Sequence, residues 1–205
     1  MKWIGVFLYI AAGTAAYAQI AGPAAYVPAT GPIEPITNSQ RLTWFVESSV
    51  GPTSLLGGTV SAGFGTLLNR PVEYGTHWEG FGERYGMRMT GIVTGDAMEA
   101  GLGAIWGEDP RYFRAGATRS LKTRAGHIIK WTFLAPNRNG ELRPAYARYA
   151  GIVGNNFLSN TWRAQSESDT SHALERSGLG VLVKMAGNTF DEFWPDVKQK
   201  MFHRH

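Results

Sequence analysis

Apolar residues recur along this chain at intervals of three and four rather than two, and that period predicts helices from residue 39 onward. Leu42, Phe45, Val46 and Ser49 share one helical face, with Asn38 or Ser39 to cap its start and Gly51-Pro52 to end it. Residues 48–69 then run uncharged, with Leu55, Leu56, Val60, Phe64, Leu67 and Leu68 set among Gly57, Gly58, Gly63 and Gly65. A buried helix packing backbone to backbone and a membrane-inserted helix with a small-residue face share this composition. The modest content of Leu, Ile and Val favours the buried one.

After the stop at Asn69-Arg70-Pro71 and a loop over 72–77 comes the glycine-rich stretch 78–114, whose closing string at 108–114 is the most distinctive in the chain. Met87, Met89, Ile92, Val93, Met98, Leu102 and Ile105 are spaced for a helix, and Gly91, Gly95, Gly103 and Gly107 form a second line beside them. Each interior glycine costs about 1 kcal/mol relative to alanine. So many imply close contacts, or an interruption near Gly101-Leu102-Gly103. Asp109-Pro110 then reads as a helix restart.

Residues 119–133 predict an amphipathic helix with Leu121, Ala125, Ile128, Ile129, Thr132 and Phe133 on its apolar side and Arg119, Lys122, Arg124 and Lys130 on its basic side. Residues 136–140 form a loop, and Pro144 opens a further helix with an apolar surface of Tyr146, Tyr149, Ile152, Val153 and Phe157. The last helix, over 170–193, is expected to face the core with Leu174, Gly178, Val181, Leu182, Met185, Thr189 and Phe193, and Pro195 to end or kink it. The sum is a single all-α domain over 39–197, built of five to six glycine-rich, closely packed helices and followed by a basic tail at 198–205. An outer-membrane β-barrel is the alternative, but it requires repeated ten-residue segments of strict alternation, which the chain does not display.

The first residues change the picture by assigning a compartment. Lys2, the apolar run 3–16 and Ala16-Tyr17-Ala18 have the anatomy of a secretory signal at 1–18, cleaved before Gln19. Residues 19–38, with Pro23, Pro28, Pro32 and Pro35, read as a Pro/Ala/Gly-rich leader. The 205 residues contain no cysteine, so an exported chain must be held by packing alone. The formal charge of +4 is mildly basic; it suits anionic membranes or wall polymers and is too small and scattered to argue for nucleic acid. The expected location is the periplasm or outer membrane of a bacterial envelope.

Candidate chemistry gathers in the glycine-rich run. Glu83 and Glu99 are candidate acid/base residues, Glu99 because it falls on the glycine line with Asp96 three residues before it on the same face. Glu108, Asp109, Arg111 and Arg114 are candidate ligand-binding residues, since two arginine forks beside a Pro-set turn suit an anionic head group. The same arginines equally suit a lock onto Glu83 or Glu99. The five histidines lack zinc spacing, no G-x-S-x-G or phosphate loop is present, and neither a metal nor a cofactor is expected.

With Arg84-Tyr85-Gly86 upstream and Phe193-Trp194-Pro195-Asp196 near the end, the string Glu108-Asp109-Pro110-Arg111-Tyr112-Phe113-Arg114 resembles an uncharacterised family of exported bacterial envelope proteins. The resemblance covers most of residues 40–200 and implies a helix-rich domain without implying an activity. The expected function is that of a non-enzymatic envelope protein, membrane-associated or partner-binding. The alternatives are an envelope enzyme acting on a lipid or cell-wall substrate with a Glu acid/base and an Arg anion clamp, and the barrel.

Overall fold

The computed structural model describes residues 27–28 and 33–202; the expected signal segment lies outside them. The described residues form an all-α domain. Helix α1 (Asn38–Val50) starts on a capping box, in which the Thr37 side chain accepts from Gln40 and the Gln40 side chain answers the Thr37 N–H. Gly51 ends α1 and Pro52 opens α2 (Pro52–Leu67) at its first helical position. Helix α3 (Trp78–Trp106) runs 29 residues, about 43 Å, and stops at Gly107 in the left-handed region. Helix α4 (Leu121–Phe133) follows. Helix α5 over 146–158 is built of Tyr146–Tyr149, a π turn at Ala150–Gly154 and Asn155–Leu158. Helix α6 (Thr170–Phe202) closes the fold. The strands are short: β1 (Val27–Pro28) pairs in parallel with β2 (Phe113–Arg114), and β3 (Leu134–Pro136) pairs antiparallel with β4 (Leu142–Pro144).

Helix α3 is the axis, packing on α1, α2 and α5, while α6 packs on α4 and α5. Glycine makes the closest of these contacts possible. A Cβ on Gly151 of the π turn would lie 2.8 Å from the Gly95 carbonyl oxygen of α3, and one on Gly103 would lie 2.7 Å from an Arg41 nitrogen. These approaches account for Gly95 and Gly103 of the glycine line, and α3 continues unbroken through the expected interruption near Gly103. Arg84 adds a second constraint: it donates to the carbonyls of Arg70, Pro71, Gly75 and Gly80, stitching the turn between α2 and α3 onto α3 itself.

Several expectations about facing are reversed. On α1 the buried residues are Arg41, Trp44 and Ser49, with Leu42 and Val46 outside. On α2 the expected backbone-to-backbone packing is what is found: the inner face is Ser54, Gly57, Gly58 and Ala62, with Leu55, Leu56, Phe64 and Leu67 outside. On α4 the expected basic-side residue Arg124 points inward beside Ile128, Trp131 and Thr132, and the expected core residues Leu121, Ile129 and Phe133 are exposed. On α6 Leu174, Gly178, Leu182 and Thr189 are exposed and Ala173, Ser177, Asn188 and Glu192 are buried. Two physical reasons operate: on α1, on α4 and in the second half of α6 a buried charged side chain, Arg41, Arg124 or Glu192, turns inward to its partners, and on α2 and in the first half of α6 the buried face is one of small residues. Small residues let backbones approach closely, so the faces that carry them are the ones that pack, and bulky side chains are left outside. Asp109-Pro110 does not restart a helix, because residues 108–114 form a buried extended strap. Pro195 lies inside α6, which continues to Phe202.

Two substitutions separate close packing from mere helix propensity. Gly151→Ala should destabilise by about 1–3 kcal/mol through overpacking against α3. Gly101→Ala, where an added Cβ meets no atom within 4 Å, should stabilise by about 1 kcal/mol. Urea unfolding of both variants checks the signs.

Candidate functional site

The strap that carries four of the sequence-predicted binding residues is a lock. Asp109 holds Arg111 at 2.6 Å and also accepts the Arg111 backbone N–H; Arg111 in turn reaches the Glu34 carbonyl. Glu108 accepts the Ala147 N–H at the start of α5, and its own carbonyl accepts Arg41 of α1. Arg114 pairs with Asp196 at 2.7 Å and donates to the Glu192 carbonyl. All four side chains are buried, so their forks and oxygens face protein.

Opposite the strap stands Glu192 of α6, which is 0% exposed. Its carboxylate accepts from Arg124 at 2.7 Å, from the Tyr112 hydroxyl at 3.0 Å and from the Ala115 N–H at 3.0 Å. Asp196 bridges Arg114 and Arg124, both at 2.7 Å. Desolvation is the largest single influence on Asp196 and pushes its pKa up, but the bonds and charges of the two arginines outweigh it and leave the pKa below the ordinary carboxylate value. The strap string and the Phe193-Trp194-Pro195-Asp196 string are thus the two halves of one charged joint.

Glu83 and Glu99, the acid/base candidates, are not brought together. Glu83 is exposed on α3. Glu99 is buried against Arg148 at 3.0 Å, and Arg148 also donates to the Trp131 and Thr132 carbonyls in the last turn of α4, where a cation is favoured. Glu99 nevertheless lines a cavity of about 480 Å³ between α3 and α6.

Contacts with α5 give the direction of its walls. Gly151 meets Gly95 and Asn155 donates to the Gly91 carbonyl, while Ile152 meets Gly180 and Arg176 donates to the Asn156 carbonyl. Helix α5 therefore runs against both α3 and α6, which run parallel to each other. The lining falls into three zones along them: arginines toward the helix starts, apolar residues at the middle, and Asp96, Glu99, Lys184, Asn188 and Asp191 toward the far end.

Asp96 and Asp191 are pushed up to about 7, chiefly by desolvation; Lys184 opposes this in both, and the Glu99 charge adds to it at Asp96. Burial also lowers the Lys184 pKa, and its ammonium lies 5.7 Å from the centre of the Trp44 ring. These groups are enclosed by protein, and the surface they retain is cavity wall. Trp44 is 1% exposed, and its indole N–H finds no acceptor among the described residues. Asp96 is among the residues the sequence singles out, and Lys184 and Asp191 are not. The signal was present, since Lys184 is the single charge between Arg176 and Asp191, seven residues before an acid on the same helical face. Among the described residues no group of three or more His, Asp or Glu could hold a metal ion.

Two predictions follow from these charges. Glu192→Ala should cost about 3–5 kcal/mol, because it takes one of two carboxylates from the buried Arg124 and leaves the Tyr112 hydroxyl and the Ala115 N–H without their acceptor; denaturant unfolding measures this. Between about pH 4 and about pH 7 the folded chain holds protons on Asp96 and Asp191 that the unfolded chain has released. Stability should therefore fall as pH rises through that window, and Asp96→Asn combined with Asp191→Asn should flatten the profile in urea midpoints taken across it. Comparison with protein-family models, curated proteins and solved structures gave no match to this chain.

Proposed function

We propose that this chain is a non-enzymatic, exported helical protein of the bacterial envelope that associates with membrane surfaces. The observation that carries this reading is the distribution of its side chains. Among the described residues as many charged side chains are buried as hydrophobic ones, ten of each, and half of those hydrophobics are alanine. Scattered exposed apolar residues are ordinary, but an interior rich in charge beneath an apolar exterior is not.

The exposed set includes Leu67 at 80%, Trp78 at 81%, Ile105 at 71% and Leu121 at 73%, and every helix contributes to it. A single protein partner would cover one patch; a lipid surface accommodates apolar residues spread over several helices. The outer face of α4 has the composition of an interfacial segment, with Leu121, Ile129 and Phe133 exposed beside Lys122 and Lys130. No helix among the described residues is long and apolar enough to cross a membrane, so the reading is of attachment through faces and not of a single spanning helix. The candidate acid Glu99 is held in its pair with Arg148, and Glu83 stands on the surface, which supports a binding role over catalysis.

Vesicle flotation tests this. The purified protein should float with phosphatidylglycerol vesicles and stay bound through a high-salt wash. Leu67→Ser, Trp78→Ser and Leu121→Ser together should lower the bound fraction severalfold, while each leaves stability within about 0.5 kcal/mol as exposed substitutions do. A protein that remains in the soluble fraction at low salt would overturn the membrane reading.

A further inference from the structure

The cavity between α3 and α6 has a charge pattern that selects its occupant. At the end nearest the helix starts, five arginines and two glutamates line the wall. Arg163 lies near Glu167, at 3.6 Å, and Arg84 is spent on backbone carbonyls, where its charge remains as positive potential even though its N–H groups are used. Arg70 is exposed at the rim. Arg176, held by the Glu167 and Asn156 carbonyls, keeps a buried Nε that has no acceptor among the described residues. At the other end the charges answer one another: Glu99 is paired with Arg148, and Lys184 opposes the charges of Asp96 and Asp191. Even without Arg88, the arginines Arg70, Arg84, Arg163 and Arg176 outnumber Glu167 and Glu175, so the net charge of the cavity is positive and sits at the arginine end.

Between the two ends the wall is apolar. Ile92 of α3, Ile152 of α5, and Leu179 and Val183 of α6 line it, and the α3 positions Arg88 and Asp96 that bracket it lie about 12 Å apart along the helix. At the inner end the Trp44 indole N–H is a second, independent sign of an unfilled site, being a buried donor on the cavity wall without an acceptor. The mouth connects this interior to the exposed apolar surface, because Phe64 and Leu68 line the cavity and are 43% and 51% exposed, with Leu67 and Arg70 beside them.

We propose that this cavity binds a single-chain amphiphile with an anionic head, the head lying among the arginines and the chain along Ile92, Ile152, Leu179 and Val183. Charge complementarity fixes the head, the apolar middle fixes the chain, and a volume of about 480 Å³ admits one alkyl chain where a two-chain lipid does not fit. A carboxylate and a phosphate head share the chemistry that arginine recognises. The binding step does not require the membrane reading; the exposed rim gives the amphiphile a route from a bilayer if that reading holds.

Titration calorimetry of the purified full chain tests the site with laurate, dodecyl phosphate, hexanoate and dodecyltrimethylammonium as probes. Laurate should bind at one site per chain, and hexanoate at least about tenfold more weakly, since each buried methylene contributes. Dodecyltrimethylammonium should not saturate that site. Dodecyl phosphate against laurate tells which head is preferred. Arg70→Glu should weaken laurate severalfold, and Val183→Trp should abolish binding while the helical circular dichroism is retained. Should Val183→Trp fail to fold, the rim variant still decides, because the Arg70 side chain lies outside the packing. Laurate binding that is absent, matched by the cationic probe, or indifferent to Arg70→Glu would overturn the proposal. Laurate binding that survives in the Leu67, Trp78 and Leu121 variant that no longer floats would remove the membrane reading and keep this site.

Discussion

A carboxylate with no exposure to water depends on its partners, and in this protein the packing of the helices depends on that carboxylate in turn. Glu192 of α6 meets Arg124 of α4 and the Tyr112 hydroxyl and Ala115 N–H of the strap, and its carbonyl takes Arg114 as well. Three parts of the chain far apart in sequence are joined at one residue. Because the ions are buried, the joint tolerates no half-measures. With every partner present the charges are satisfied, and with one removed a buried polar or charged group is left without its partner.

The arginines do similar work elsewhere. Arg84 closes the turn between α2 and α3, Arg148 ties Glu99 to the carbonyl end of α4, and Arg111 draws residues 33–37 onto the strap through the Glu34 carbonyl. A chain without cysteine and with few large buried hydrophobes has replaced part of an oily core with guanidinium forks on backbone oxygens. That substitution leaves the bulky apolar residues outside. It also leaves α3 and α6 separated along a cavity whose two ends differ in charge. The outward surface and the inner cavity thus have one cause, which is that close contact in this fold is made by small residues and arginine.

Much of the fold was legible in the chain. The three-to-four period gave the helices, Gly51-Pro52 gave an end, residues 136–140 gave the loop, and the glycine line at Gly95 and Gly103 gave the close contacts of α3. The charged string at 108–114 was recognisable as either a clamp or a lock, because two acids and two arginines suit both. Its partners Glu192 and Asp196 lie some eighty residues away, and no local pattern names them.

What the sequence determined by itself was which segments are helical and which of their residues are small, since both follow from local steric and hydrogen-bonding preferences. Only the tertiary structure decided which face of each helix points inward. Periodicity marks an apolar stripe and a glycine stripe alike, and an isolated helix carries no reason to bury one over the other; in α2 and α4 the stripe that packs is the one that lets backbones and arginines approach. The same decision turned Arg124 from a surface charge into the partner of Glu192, and gathered Asp96, Lys184 and Asp191 from two distant helices around one cavity. Those positions depend on the relative placement of α3, α5 and α6, which a linear pattern does not contain.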